Sequence, residues 1–185
     1  MPTLRPAVFL DRDGTLNVER SYITKPEELQ LLPGVGVALR RLRAAGFVCV
    51  VVTNQSAIDR GMMSEADLHR IHDEMNRQLD LVGAALDGIY ACSACVDHPD
   101  RKPAPGLLLR AAAELNLDLA NSWMIGDTAR DIQAGLNAGC RGCVLVRSGI
   151  PIEEAERVLT GPYYSADDLL AAADFVLSQQ SRDSR

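Results

Sequence analysis

Short apolar runs alternate with amphipathic stretches along almost the whole chain. "AVFL" (Ala7–Leu10) reads as a strand covered on both faces, and "FVCVVVT" (Phe47–Thr53), β-branched and unbroken, as a second. Strands buried on both sides carry no polar alternation, which is the habit of parallel sheets. Further strands are predicted at "GIYAC" (Gly88–Cys92), "SWMIGD" (Ser122–Asp127) and "CVLV" (Cys143–Val146).

Helices are predicted between these runs. Gly34–Gly46 places Val35, Leu39 and Leu42 on one side and closes on a glycine. Ser64 stands as an N-cap with Asp67 in the capping-box position, and Leu68, Ile71, Met75, Leu79 and Val82 form one stripe behind it. Pro105–Asn116 and Thr128–Gly139 supply two more helices, and Ser165 is expected to cap a last one. The polar end, about residues 179–185, reads as frayed. Strand and helix in alternation predict an α/β fold, a mostly parallel sheet between two helical layers. With no repeat or linker, a single domain over residues 1–185 is expected.

Composition narrows the class of protein. Of the 185 residues 47% are hydrophobic and 24% charged, a balance that belongs to packed globular proteins. A net charge of −6 and only 4% aromatic residues argue against nucleic acid, which needs basic surface or stacking platforms. The longest apolar stretch, Phe47–Val52, is far short of a membrane span. No basic-then-apolar leader is visible and the five cysteines read as thiols, so the expectation is a cytoplasmic monomer with a small-molecule partner.

The chemistry collects at the carboxyl ends of the predicted strands, where open α/β sheets bind ligands. Asp11 and Asp13 follow the first strand, Thr53 ends the second, Asp127 ends the fourth, and Lys102 lies in a loop before a helix. Two carboxylates two residues apart repel one another unless a cation intervenes, so "DRDG" is either a metal site or a solvated turn. Carboxylates, a hydroxyl and a lysine at one edge suit a hard cation with a phosphoryl group.

Four stretches, "DRDGT" (Asp11–Thr15), "VVTNQS" (Val51–Ser56), "RKPAPG" (Arg101–Gly106) and "GDTARD" (Gly126–Asp131), resemble in order the motifs of the haloacid dehalogenase (HAD) superfamily of phosphatases. The wording is closest to the branch that holds heptose-bisphosphate and histidinol phosphatases. The resemblance implies a HAD-like three-layer sandwich without a large cap and a Mg²⁺-dependent phosphomonoester hydrolase. Its expected substrate is a heptose 1,7-bisphosphate attacked at the 7-phosphate, with histidinol phosphate or another small sugar phosphate as the alternative. A phospho-accepting signalling module is a further alternative, and Asp13 argues against it.

By the same resemblance Asp11 is the nucleophile, Asp13 the general acid and base, and Thr53 and Lys102 the stabilisers of the transferring phosphoryl group. Mg²⁺ is expected on Asp11, the Asp13 backbone carbonyl and Asp127, with Asp131 orienting bound water or standing as an exposed helix carboxylate. Substrate contacts are expected from Glu19, Arg20, Ser21, Tyr22, Asn54, Gln55, Ser56 and Arg101. The branch usually carries a zinc loop ending in a Cys-x-Cys pair. That pair is absent here, leaving Cys92, Cys95 and His98, three candidates where structural zinc takes four ligands. His69 and His72 read as exposed or boundary residues.

Overall fold

The computed structural model describes residues 4–148 and 161–183. Its centre is strand β1 (Ala7–Leu10), every residue of which is buried. Beside it lie β2 (Val48–Asn54) on one flank and β4 (Trp123–Gly126) on the other, both parallel to it. Strands β3 (Gly88–Cys92), β5 (Gly142–Val146) and β6 (Tyr164–Ala166) complete a parallel sheet of order β3-β2-β1-β4-β5-β6. The order reverses between β1 and β4. Loops leaving those two strands diverge to opposite sides and open a crevice at their carboxyl ends.

Alternate strand residues feed two cores, which is why the runs lack polar positions. Val8, Leu10, Cys49 and Val51 face helices α1 (Val35–Ala44), α2 (Glu65–Leu81) and α5 (Leu169–Asp183). Ala7, Phe9, Val50 and Val52 face α3 (Gly106–Leu115) and α4 (Ala129–Ala138). The capping box at Ser64 forms as the sequence predicts, with the Ser64 hydroxyl accepting from the Asp67 N–H and the Asp67 carboxylate accepting from the Ser64 N–H. Val82 leaves the stripe: it is the C-cap of α2 and is 45% exposed.

The chain's last elements differ from expectation. Ser165 does not cap a helix but lies in the edge strand β6, paired with Leu145. The cap is Asp168, whose carboxylate accepts the Ala171 N–H. A three-residue strand offers no period to read, and its place is fixed by distant packing of Tyr164 against Trp123 and Phe175. Helix α5 continues to Asp183 through the segment expected to fray, and Gln180 donates to the Ala45 carbonyl. Among the described residues no helix is long and apolar enough to cross a membrane.

Candidate active site

The crevice between β1 and β4 holds a cleft of about 180 Å³ lined by Asp11, Asp13, Glu19, Ser21, Thr53, Asn54, Lys102, Asp127, Thr128, Arg130 and Asp131. Each strand end contributes one side of it. Gly14 takes φ +74° directly after Asp13, and its N–H donates to the Asn17 carbonyl, so the chain folds back over the carboxylates.

Lys102 is the positive centre. Its ammonium is 2.7 Å from Asp11 Oδ1, 2.6 Å from Asp131 Oδ1 and 2.7 Å from the Val52 carbonyl. Burial alone would lower its pKa, but Asp11 and Asp131 outweigh burial and raise it, so the lysine stays charged. Asn54 holds the backbone of the same residue from β2, donating to the Lys102 carbonyl and accepting from its N–H, both at 3.0 Å.

One lysine does not balance the carboxylates. Asp11, Asp127 and Asp131 each offer an oxygen within 4.8 Å of the others'. Burial, then the Asp131 charge, pushes Asp11 up to about 7 against the pull of Lys102. Burial, then Asp11 and Asp131, carries Asp127 up to about 9. Both Asp127 oxygens are buried without a hydrogen-bond partner. Carboxylate oxygens removed from water are costly unless something pairs them, and a hard dication with oxygen ligands is the group that fits. Asp131 is buried, not an exposed helix carboxylate. Its second oxygen accepts from the Thr128 N–H at 2.9 Å and the Thr128 hydroxyl at 2.6 Å, which closes the capping box of α4.

Asp13 has a different environment. Its carboxylate receives Arg12, Asn17 Nδ2 at 2.9 Å and Gln55 Nε2 at 2.9 Å. Burial opposes its ionisation, but the Arg12 charge and these hydrogen bonds outweigh burial and hold it below the usual range. Glu19 at the rim is raised by burial and by the Asp13 charge.

The expected substrate residues divide. Glu19, Ser21 and Asn54 line the cleft with Thr53, whereas Arg20, Tyr22 and Ser56 do not. Gln55 is buried beneath it. Arg101 lines an adjoining cavity of about 570 Å³ with Cys95, Asp97, His98 and Pro99, and its guanidinium donates to the Ala94 carbonyl at 2.6 Å. Lys102 and Arg130 border both spaces. The zinc candidates do not converge: Cys92 Sγ is 3.8 Å from His98 Nδ1, while the Cys95 thiol points to the Ser56 carbonyl at 3.4 Å.

Arg12 carried no expectation from the sequence, and His72 departs from the exposed or boundary place expected of it, which His69 keeps. Arg12 is wholly buried, although it stands between two residues of the cleft. His72 is buried too, 3.5 Å from Arg12, with burial and then the Arg12 charge pushing it down to about 4. Its position offered a signal, since 72 is four after Leu68 and three before Met75 on the buried stripe.

A parallel sheet that reverses order at a carboxylate–lysine cleft is the architecture of a HAD-like hydrolase, and residues 100–172 match the family model described as HAD-hydrolase-like. D-glycero-D-manno-heptose-1,7-bisphosphate 7-phosphatase of Thermosynechococcus vestitus is 42% identical, over 93% of this chain and 95% of its own. D-glycero-beta-D-manno-heptose-1,7-bisphosphate 7-phosphatase of Escherichia coli K12 is 41% identical, over 89% and 91%. The crystal structure of D,D-heptose 1,7-bisphosphate phosphatase from B. bronchiseptica, complexed with magnesium and phosphate, superposes with a TM-score of 0.87 at 35% identity, over 94% of this chain and 99% of that one. The chain belongs to the HAD-like phosphatases, in the family of the D-glycero-D-manno-heptose-1,7-bisphosphate 7-phosphatases.

Proposed function

We propose that this protein is a cytoplasmic, Mg²⁺-dependent phosphatase that removes the 7-phosphate of D-glycero-D-manno-heptose 1,7-bisphosphate. The observation that carries the reading is Asp11 held against a buried ammonium and beside Asp127, whose two oxygens have no partner. An oxygen of Asp11 attacks phosphorus in line. As the ester P–O bond breaks, Asp13, which takes up a proton once the anionic phosphate enters the cleft and opposes the pull of Arg12, gives that proton to the departing sugar oxygen, leaving an aspartyl phosphate on Asp11. Asp13, now a carboxylate, takes a proton from water, which attacks that phosphorus, releases phosphate and restores Asp11. Lys102 and the Thr53 hydroxyl hold the phosphoryl oxygens while charge moves across them.

Asp11, Asp127 and the Asp13 backbone carbonyl would hold Mg²⁺, which supplies charge neutralisation at the phosphoryl group and between the carboxylates. Asp131 is left out of that set because Lys102 and Thr128 already occupy its oxygens. The small cleft accommodates the transferring phosphoryl group. The larger cavity, with Arg101 and Arg130 on its walls, takes the sugar and the phosphate that stays. Zinc has no part in this reading, since Cys92 and His98 make only half of a tetrahedral set. Elemental analysis of the purified protein checks that point.

The test is phosphate release with Mg²⁺ from both anomers of the heptose bisphosphate, histidinol phosphate and several sugar monophosphates, with Asp11→Asn as control. Preference for a heptose bisphosphate, lost in the control, is expected. Preference for another ester overturns the substrate and keeps the chemistry. Retention of phosphate on Asp11 without turnover overturns both.

A further inference from the structure

We propose that Arg12 and Gln55, neither of which lines the cleft, are positioning residues that aim Asp13 and tie it to Thr53. The inference rests on Asp13 being the proton donor of the reading above. Arg12 is 0% exposed. A guanidinium buried so completely is tolerated only when its hydrogen bonds are met, and here they are spent on the acid. Its Nη2 lies 3.0 Å from Asp13 Oδ1 and 2.8 Å from Oδ2, and its Nε is 3.2 Å from Oδ1. Nη2 also donates to Gln55 Oε1 at 3.1 Å. Nη1 is turned to the ring of His72 at 3.5 Å, where the neutral imidazole can accept.

Gln55 closes the arrangement. Its carbonyl oxygen is taken by Arg12, which fixes the orientation of the amide. Its nitrogen therefore faces Asp13 Oδ2 and Thr53 Oγ1, each at 2.9 Å. One amide group thus couples the acid of β1's loop to the phosphoryl-binding hydroxyl of β2. Asn17, which donates to Asp13 Oδ1, is anchored in turn on the Val18 carbonyl. The Asp13 carboxylate is held from behind on both oxygens, so its rotation about χ1 and χ2 is blocked. Proton transfer requires a heavy-atom approach within hydrogen-bond reach, and a small misplacement is expensive in rate.

A residue that acts only by aiming a proton donor matters when the leaving group needs the proton. A sugar alkoxide does, and p-nitrophenolate does not. Gln55→Met and Arg12→Lys are compared with the parent and with Asp13→Asn, using kcat/KM for the heptose bisphosphate and for p-nitrophenyl phosphate, with a thermal melt of each variant. Both variants are expected to lose about 10- to 100-fold on the alkyl ester, the scale of a misplaced catalytic group, and less than about 3-fold on the aryl ester.

Equal losses on the two esters, or no loss on either, overturn the proposal. If Asp13→Asn shows the alkyl–aryl split and Gln55→Met does not, positioning alone falls. If Asp13→Asn shows no split, the proton-donor reading falls and takes this one with it. Should Arg12→Lys not fold, Gln55→Met decides.

Discussion

Lys102 and Asp131 form a buried ion pair at 2.6 Å, 2% and 1% exposed, and the same carboxylate begins helix α4 by accepting from Thr128. One side chain thus sets both the lysine and the helix start. Asp131→Asn keeps an acceptor for the helix and removes the charge that aims Lys102. A fall in kcat/KM of about 10- to 100-fold is expected, the usual consequence of loosening a group that must meet the transition state. Asp131→Ala also loses the cap and is expected to be less stable than Asp131→Asn by roughly 1 kcal/mol. Steady-state kinetics and urea unfolding of the two variants check this, and equal stability of the pair rejects the capping role.

The crowding of Asp11 and Asp127 makes the metal-free protein sensitive to pH in a defined direction. Their carboxyls titrate near 7 and 9 in the fold, against about 3.8 in an unfolded chain. Raised acid pKa values contribute stability that is complete below the unfolded value and is lost as pH rises through the folded ones. In chelator, the melting temperature is therefore expected to fall between pH 6 and pH 9. Mg²⁺ is expected to remove much of that fall, because the cation replaces the protons. Asp127→Asn removes one repelling charge and should melt higher than the parent in chelator at pH 8, by about 2–4 °C per kcal/mol of relief in a chain of this size. A pH slope shared by variant and parent would contradict the assignment.

The parallel sheet was legible because its strands are continuous apolar runs separated by helical periods, and the strand ends named Asp11, Thr53 and Asp127. Lys102 was legible as chemistry through the motif it sits in, but its three partners come from three separate segments. Arg12 was not legible. A charged residue between two acids reads as solvated until packing shows that it points beneath the cleft. Gln55 was read as substrate-facing because its neighbours are, and its two oriented hydrogen bonds appear only in three dimensions. Strand β6 was lost for a similar reason, being short and held by aromatic contacts with Trp123 and Phe175.

Gly126 ends β4 against the site, and a Cβ added there would stand 2.3 Å from Asp131 Cβ and 2.6 Å from its Oδ2. That approach is far inside contact distance, and the side chain in the way is pinned by Lys102 and Thr128. Gly126→Ala must push Asp131 away or shift the strand end that carries Asp127. Loss of activity by more than 100-fold is expected, with destabilisation of roughly 1–3 kcal/mol as for other overpacked positions. Gly139→Ala serves as the comparison. There a new Cβ meets nothing within 4 Å but φ is +79°, so it should cost stability through backbone strain and leave the chemistry largely alone.

Asn54 latches the end of β2 to the loop that carries the lysine, with its amide nitrogen on the Lys102 carbonyl and its amide oxygen on the Lys102 N–H. Such a two-way bond needs one donor and one acceptor on a short side chain, which only asparagine supplies at this length. Asn54→Asp keeps the acceptor and turns an oxygen toward the Lys102 carbonyl, while also adding a fourth carboxylate near Asp11, Asp127 and Asp131. Asn54→Ala drops both bonds and adds no charge. If the latch sets the lysine's position, Asn54→Ala should lower kcat/KM by about 10- to 100-fold and cost roughly 1–3 kcal/mol for the groups left unpaired. Asn54→Asp should lose more in metal-free stability as pH rises, since its added charge joins a cluster that Lys102 alone does not balance. A side chain that only touched substrate would raise KM in both variants and leave their melting temperatures at the parent value, and that result would remove Asn54 from the lysine's support.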